Sequence, residues 1–369
     1  MQRTWISTAA LAAGVALMAA CGGGDKGGQG QADSAGAQKA GGGTALTGAG
    51  ATFPYPVYSK WFDAYGKDHG VSVNYQSIGS GGGIQQVTQG TVDFGASDAP
   101  MSAEEQGKAP GVLHLPTVMG SVAVTYNLPG LSQPLHLSGA TLADLFLGKI
   151  KKWNDPAVAA ENPGVALPAT NVVVAHRSDG SGTTFVFTDY LAQVSPEWKT
   201  KVGNGKSVNW PGGLGAKGNE GVSGAVKQTP GAIGYVELAY ALQNGLSMAS
   251  LKNQAGQFVA PSVESTAAAA EGVTAKVAGG DFKVSLVNAP GAQAYPIATW
   301  TYLLVPGHWQ DCGKANAFAG LVTWALTQGG DMARELHYAP LPDAVRTGVL
   351  QQLGKVTCGA GNEAVKPAA

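Results

Sequence analysis

Three segments of this chain combine a strand pattern, a turn rich in glycine and hydroxyl residues, and a helix pattern in the same order. They are "LTGAGATFPYPVYSKWFDAYG" (46–66), "VSVNYQSIGSGGGIQQVTQG" (71–90) and "NVVVAHRSDGSGTTFVFTDYLAQV" (171–194). In each segment, apolar residues with strand periodicity precede the turn, and apolar residues at helical spacing follow it. Interleaved strands and helices predict an open α/β sheet, whose ligands lie beyond the carboxyl ends of its strands.

The turns in these segments are suited to holding an anion. A helix begins with free backbone N–H groups and partial positive charge, and glycine lets a ligand approach the backbone. In the first segment, Thr52 is predicted to cap a helix that Pro54 helps to begin. The predicted buried face of that helix comprises Val57, Tyr58, Trp61, Phe62 and Tyr65. An ordinary capped helix is the alternative interpretation of each turn.

The turn in the third segment adds a cation. "RSDGSGTTF" (177–185) sets Arg177 and Asp179 two residues apart and follows them with Ser181, Gly182 and Thr183. A guanidinium has a planar fork that suits two oxygens of an oxyanion. Asp179 is itself an anion, so its expected role is to orient Arg177. The alternative is an ordinary surface ion pair worth less than about 1 kcal/mol.

The N-terminus has the layout of a secretory signal. Residues 1–21 place Arg3 before a mostly apolar run that ends in small residues and Cys21, and this run is short for a membrane span. Cys21 after two alanines resembles the lipobox of bacterial lipoproteins, although Met18 stands where that motif usually has leucine. Lipidation at Cys21 is therefore predicted, with a plain signal peptide as the alternative. Residues 22–43 are almost wholly small and polar, which predicts a flexible tether.

The two remaining cysteines, Cys312 and Cys358, are available for a disulfide in an oxidising compartment. Two unrelated buried thiols are the alternative. The chain has no CxxC spacing or Cys/His cluster, so no metal site is predicted.

The net charge and the lack of catalytic motifs argue against nucleic-acid-binding proteins, P-loop nucleotide hydrolases and serine hydrolases. The formal net charge is −1 and 13% of residues are charged, so the chain lacks the excess of positive charge that attracts nucleic acid. The segment "TKVGNGKS" (200–207) lacks the first glycine of a P-loop, and neither Ser80 nor Ser181 lies in a G-x-S-x-G elbow. No catalytic residue is predicted.

Seven motifs, in this order, resemble the periplasmic phosphate-binding proteins of bacterial ABC phosphate importers. They run from about Leu46 to about Asp343. The motifs are "LTGAGATFPYPVYSKW", "YQSIGSGGGIQQV", "TVDFGASDAPMS", "LGKIKKWNDP", "RSDGSGTTFVFTDYL", "PGAIGYVEL" and "YPIATWTYLL".

The resemblance implies a ligand set. Asp98 matches the carboxylate that accepts the proton of bound phosphate, Arg177 matches the cation that contacts phosphate, and Asp179 matches the acid that pairs with this cation. Gly81 stands where relatives often carry a second serine. The residues that match phosphate ligands are Thr52, Phe53, Ser80, Asp98, Arg177, Ser181, Gly182 and Thr183.

The resemblance also implies an architecture and partners. It implies a two-lobed periplasmic-binding-protein fold that closes around one phosphate, with residues 44–118 plus 297–369 in one lobe and residues 119–296 in the other. The expected function is high-affinity phosphate binding and delivery to ABC permease subunits. The alternative function is that of a secreted phosphatase or of a binding protein for another oxyanion. The protein is expected to act as a monomer in the periplasm, without a cofactor, held to a membrane through Cys21.

Overall fold

Strands and helices alternate along most of the chain in the computed structural model, which describes residues 43–131, 133–278, 280 and 282–366. The helices are α1 Tyr55–His69, α2 Ser80–Gln89, α3 Ala103–Lys108, α4 Gly139–Phe146, α5 Pro156–Glu161, α6 Gly182–Val194, α7 Pro196–Lys201, α8 Gly218–Gln228, α9 Leu238–Gln243, α10 Val263–Glu271, α11 Thr274–Ala278, α12 Cys312–Thr327, α13 Gly330–Glu335 and α14 Asp343–Leu353. The predicted signal segment and nearly all of the predicted tether lie outside the described residues.

The strands form one large mixed sheet and two small ones, which confirms the predicted α/β class. They are β1 Ala45–Gly50, β2 Ser72–Ser77, β3 Phe94–Ser97, β4 Val112–Tyr126, β5 His136–Leu137, β6 Val173–Arg177, β7 Leu214–Ala216, β8 Ala232–Glu237, β9 Ser247–Met248, β10 Ser250–Lys252, β11 Phe258–Val259, β12 Ala298–Pro306, β13 His308–Trp309, β14 Ala339–Pro340, β15 Thr357–Cys358 and β16 Glu363–Ala364.

The large sheet has the strand order β2-β1-β3-β12-β4-β8-β6-β7, with β14 and β9 also paired to β4. At one end β1 runs parallel to β2 and β3, and at the other end β6 runs parallel to β7 and β8. β12 is antiparallel to both β3 and β4, and it lies between them.

The 15-residue strand β4 joins the two ends of this sheet. Its residues from Val112 to Ser121 pair with β12, and those from Val122 to Tyr126 pair with β8. Most of β4 is buried, as its long apolar sequence requires, because a strand covered on both faces needs apolar side chains on both.

Helix α1 has the predicted buried face but a different start. Val57, Tyr58, Trp61 and Tyr65 are buried, whereas Phe62 is half-buried. The prediction that Thr52 caps this helix is wrong. Pro54 occupies the N-cap without a side-chain bond and a second proline follows at Pro56. Because proline has no N–H group, the first turn has fewer donors to satisfy, and the Thr52 hydroxyl is bonded elsewhere.

The other two predicted turns lead into helices as expected. α2 begins at Ser80 directly after Gly79, whose φ of 92° favours glycine. α6 begins after Ser181, whose hydroxyl accepts a hydrogen bond from the Thr184 N–H at 3.0 Å. These helix starts lie at the carboxyl ends of β2 and β6, where the α/β pattern places ligands.

Cys312 and Cys358 form a disulfide, which confirms the predicted pairing. It joins the first residue of α12 to β15, in the small sheet of order β13-β15-β16. The bond closes a loop of 46 residues, which on the chain-entropy model is worth about 4 kcal/mol to the folded state.

Candidate functional site

The structure brings the predicted ligand residues together in one buried cluster. They follow β1, lie at the start of α2, follow β3, end β6, and begin α6. A Cβ atom on Gly182 would lie 2.6 Å from both Asp98 Oδ2 and Ser80 Oγ, so only glycine fits there. The predicted residues that are buried are Thr52, Phe53, Ser80, Asp98, Arg177, Ser181, Gly182 and Thr183.

Arg177 and Asp179 form a buried ion pair, so the alternative of an ordinary surface pair is wrong. Arg177 Nε donates to Asp179 Oδ1 at 2.7 Å, and Arg177 Nη2 donates to Asp179 Oδ2. The two side chains are 1% and 12% exposed. Burial alone would raise the pKa of Asp179, but the Arg177 guanidinium and the Gly218 N–H group outweigh it and hold this pKa below its usual value. Asp179 thereby fixes the direction of the guanidinium fork.

Asp98 is a carboxyl group close to its point of ionisation. Burial raises its pKa to about 7, against the lowering effects of the Thr301 hydroxyl, the Arg177 charge and Thr183. Thr301 Oγ1 donates to Asp98 Oδ1 at 2.9 Å, while Oδ2 faces Gly182. Thr301 therefore bonds one oxygen of Asp98, and the other oxygen faces the start of α6.

Ser80 bridges two parts of the cluster through its hydroxyl. The Gly182 N–H group donates to Ser80 Oγ at 3.0 Å, and the Asp98 N–H group donates to it at 3.4 Å. Its neighbour Gly81 donates from its N–H group to the Gly180 carbonyl at 2.8 Å, and a Cβ on Gly81 would lie 3.2 Å from Gly180 Cα. Gly81 thus lies in backbone-to-backbone contact, where a larger residue needs a shift.

The electrostatics of the site also favour binding of an anion. The N-termini of α2 and α6, helices of 10 and 13 residues, face the cluster, and each carries partial positive charge. Arg177 adds a full charge. Within the described residues, no group of three or more His, Cys, Asp or Glu side chains could hold a metal ion. The described residues also include no helix that is both long and apolar enough to span a membrane.

Comparison with known proteins gives the family. Residues 35–328 match a model of the PBP superfamily domain. The chain is 50% identical over 298 residues to the phosphate-binding protein PstS of Xylella fastidiosa strain Temecula1, which covers 80% of this chain and 81% of that protein. It is 51% identical over 301 residues to PstS of Pasteurella multocida strain Pm70, which covers 81% and 87%. The chain belongs to the PstS family.

Solved structures agree with this membership in fold. A crystal structure of a phosphate-binding protein from Stenotrophomonas maltophilia matches with a TM-score of 0.63 at 22% identity, over 84% of this chain and 93% of that one. A high-affinity periplasmic phosphate-binding protein bound with phosphate matches with a TM-score of 0.65 at 24% identity, over 83% and 93%. The predicted two-lobed fold of the PstS family is thereby confirmed.

Sequence reasoning missed several residues that contact the predicted set. Asn219 bonds Thr52, and Tyr240 Oη donates to the Thr52 carbonyl at 2.6 Å. Asn219 lies in "AKGNEGV" (216–222), where β7 gives way to α8. This is a fourth strand-to-helix turn with glycines, so the pattern used for the other three could have found it. Thr301 lies within the apolar strand β12 and carried no such signal.

Glu237 is a second buried carboxyl group behind the site. Burial raises its pKa well above the usual value, against the lowering effects of the Ala239 N–H group and the Tyr338 hydroxyl. Glu237 Oε2 lies 2.9 Å from Tyr338 Oη, which donates to the Phe53 carbonyl at 2.7 Å. The Tyr338 hydroxyl therefore lies within hydrogen-bond distance of both Glu237 and the Phe53 carbonyl. This chain of bonds holds the Phe53 peptide in place.

Proposed function

We propose that this PstS-family protein binds inorganic phosphate with high affinity and delivers it to an ABC-type membrane permease for import. The observation that carries the proposal is the buried cluster in which Arg177 and two helix N-termini face Asp98. Cation and N–H donors bind the oxygens of an anion, while a carboxylate acceptor suits an anion that keeps a proton. Phosphate at neutral pH meets both requirements. The PstS relatives at about 50% identity, named as phosphate-binding proteins, support it.

The proposed contacts divide by chemistry. Arg177 binds phosphate oxygens through its free N–H groups, and Asp98 accepts the phosphate proton. The hydroxyl donors are those of Thr52, Ser80, Ser181 and Thr183, and the backbone donors include Phe53 and Gly182. Helix N-termini favour such backbone contacts to phosphate.

We propose that the protein holds phosphate without breaking a bond. His176 lies beside the site with Nδ1 3.0 Å from the Arg177 carbonyl, and its ring stacks on Trp210 at 4.7 Å. That position supports a packing role for His176 and not the role of a base. Release of phosphate from a phosphate ester by the pure protein would contradict a binding-only function.

The proposed lobes are residues 44–118 with 297–369, and residues 119–296. The N–H of Gly81 donates to the Gly180 carbonyl, and Lys206 Nζ lies 2.7 Å from Glu105 Oε2. These bonds connect the two proposed lobes beside the site, so they form when the lobes close. The chain is proposed to cross from one lobe to the other in β4 and to return near β12.

The protein purified from its host is expected to carry phosphate. Denaturation should release about one phosphate per chain, because a closed cluster of buried donors releases its ligand slowly. After the ligand is stripped by partial unfolding and dialysis, calorimetric titration with phosphate should restore binding at one site. A refolded protein that gives no binding heat and no shift in melting temperature with phosphate would contradict the proposal.

We propose that the protein acts as a monomer in the periplasm, anchored to a membrane by a lipid on Cys21. The support is the signal pattern of residues 1–21 and the small, polar segment 22–43. Mass spectrometry of the protein from its native host should find a mature chain that begins at a diacylated Cys21. An unmodified N-terminus at another residue would reject the anchor and leave the phosphate site unaffected.

A further inference from the structure

One residue outside the predicted ligand set makes two hydrogen bonds to the same hydroxyl of the site. The Asn219 N–H group donates to Thr52 Oγ1 at 3.1 Å, and Asn219 Nδ2 donates to it at 2.7 Å. Asn219 is 0% exposed and Thr52 is 3% exposed, so water does not compete for these bonds. The two residues are 167 positions apart in the chain.

The direction of the Asn219 amide is determined by a third bond. The Glu237 N–H group donates to Asn219 Oδ1 at 2.9 Å. A backbone N–H group can only donate, so the atom that faces it must be the amide oxygen, and the NH2 group must face Thr52. The orientation of Asn219 therefore follows from the hydrogen-bond network.

These bonds decide what the Thr52 hydroxyl can do. A hydroxyl group has one hydrogen and two acceptor lone pairs. Asn219 occupies both lone pairs of Thr52 Oγ1, so the hydroxyl cannot accept another bond and its hydrogen points elsewhere. Ser80 is arranged in the same way, because Gly182 and Asp98 donate to its hydroxyl from their backbones. At Thr52 the main donor is a side chain, which can be replaced.

We propose that Asn219 is a positioning residue that makes the Thr52 hydroxyl an obligate donor toward the bound phosphate. This inference rests on the proposed function. A hydroxyl with free lone pairs can turn its oxygen toward an anion and repel it, whereas one that is held as a donor is oriented before phosphate arrives. Asn219 Nδ2 also lies 3.4 Å from Thr183 Oγ1, to which Arg177 Nη1 donates at 3.4 Å. The same amide thus faces two of the proposed phosphate donors.

A double-mutant cycle tests this role. Asn219→Ala is expected to raise the phosphate Kd about 10-fold, the scale of one lost hydrogen bond. Thr52→Val removes the hydroxyl itself. In the Thr52→Val protein, the added Asn219→Ala change should alter the Kd by less than about 2-fold, because the Thr52 hydroxyl is gone and the 3.4 Å contact of Asn219 with Thr183 is weak. Calorimetric titration with inorganic phosphate gives all four Kd values. Equal effects of Asn219→Ala in both backgrounds would overturn the proposal.

Asn219→Asp gives an independent test if the alanine variant folds poorly. Its carboxylate accepts the Thr52 hydrogen and turns it away from phosphate, and its charge also repels the anion. The Kd should rise at least about 100-fold with Thr52 present. In the Thr52→Val background, where only repulsion acts, the rise in Kd should be about 10-fold smaller. An equal loss in the two backgrounds would leave repulsion as the whole effect and reject the proposal.

A matched control separates orientation from packing. Asn162 is also buried and donates from Nδ2 to the His136 and Val158 carbonyls at 2.9 Å. Asn162→Ala should lower the melting temperature of the phosphate-free protein without changing its Kd. A comparable change of Kd in Asn162→Ala would reject the specific role of Asn219. Failure of the wild-type protein to bind phosphate would instead contradict the proposed function, so the two failures are distinguishable.

Discussion

Arg177→Met is expected to weaken phosphate binding roughly 1000-fold. Hydrogen bonds to charged groups are worth about 1.5 to 3 kcal/mol each, and loss of two corresponds to roughly 100-fold to 10,000-fold in Kd. The substitution also leaves the Asp179 carboxylate without its cation, so its negative charge then opposes the phosphate. Calorimetric titration of the purified variant measures the change.

Two further variants define what the Arg177 guanidinium contributes. Arg177→Lys keeps the charge but cannot make the fork that Asp179 holds, so its loss should fall between wild type and Arg177→Met. Arg346 is a matched control, because it pairs with Asp343 at 3.1 Å on the surface, where its side chain is 37% exposed. Arg346→Met should leave the Kd unchanged. A Kd of Arg177→Met within about 10-fold of wild type would show that Arg177 is not a phosphate ligand.

Asp98→Asn is expected to admit sulfate at pH 8. An ionised Asp98 accepts the proton of phosphate or arsenate, but it repels sulfate, which has no proton at neutral pH. Removal of this repulsion, worth several kcal/mol in a buried site, should tighten sulfate binding by roughly 100-fold. Phosphate should lose only about 10-fold, since the amide still offers a hydrogen-bond partner. Titrations with phosphate, arsenate and sulfate measure these shifts, and unchanged exclusion of sulfate would contradict the role of Asp98.

The pH dependence gives a second measurement on Asp98. Its pKa of about 7 in the phosphate-free protein means that acid converts it from an acceptor to a donor. Wild-type affinity for sulfate should therefore rise as the pH falls below 7, whereas that of Asp98→Asn should not. Asp93 is a matched control, because it pairs with Lys314 at 2.9 Å outside the site. Asp93→Asn should exclude sulfate as wild type does.

The same burial has a consequence for stability. Asp98 holds its proton more tightly in the folded chain than in the unfolded chain, where its pKa is about 4. Its contribution to the free energy of unfolding is therefore present below pH 4 and is lost as the pH rises toward 7. Phosphate-free Asp98→Asn should gain stability over wild type across this window. An equal difference in melting temperature at pH 5 and pH 8 would contradict the raised pKa.

Local sequence pattern was sufficient for the elements that form the site. Phe187, Tyr190 and Leu191 at helical spacing are buried in α6, and Ser181 caps that helix. Arg177 is the last residue of β6, and the apolar residues that precede it in this strand are largely buried in the sheet. Such features depend on neighbours in sequence, so periodicity and turn chemistry can predict them.

Long-range contacts explain what could not be predicted. Thr52 was expected to cap α1, but its hydroxyl is bonded to Asn219, and no local pattern links two residues so far apart. The role of Thr301 depends on β12 lying against β3, so that Thr301 Oγ1 reaches Asp98. The Phe53–Tyr338–Glu237 chain joins three distant segments. These contacts depend on the order of strands in the sheet, which cannot be predicted from composition and periodicity.

The position of β12 has a consequence for the order in which the chain can fold. β12 lies between β3 and β4, yet it follows β4 in the chain by more than 170 residues. When the chain becomes available from its N-terminus onward, the facing edges of β3 and β4 stay unpaired until β12 is present. Contacts of such long sequence separation close slowly, because loop entropy is lost before the contacts form. The central segment, whose strands β6 and β8 pair with each other, can collapse first, and the strand that carries Thr301 completes the sheet late.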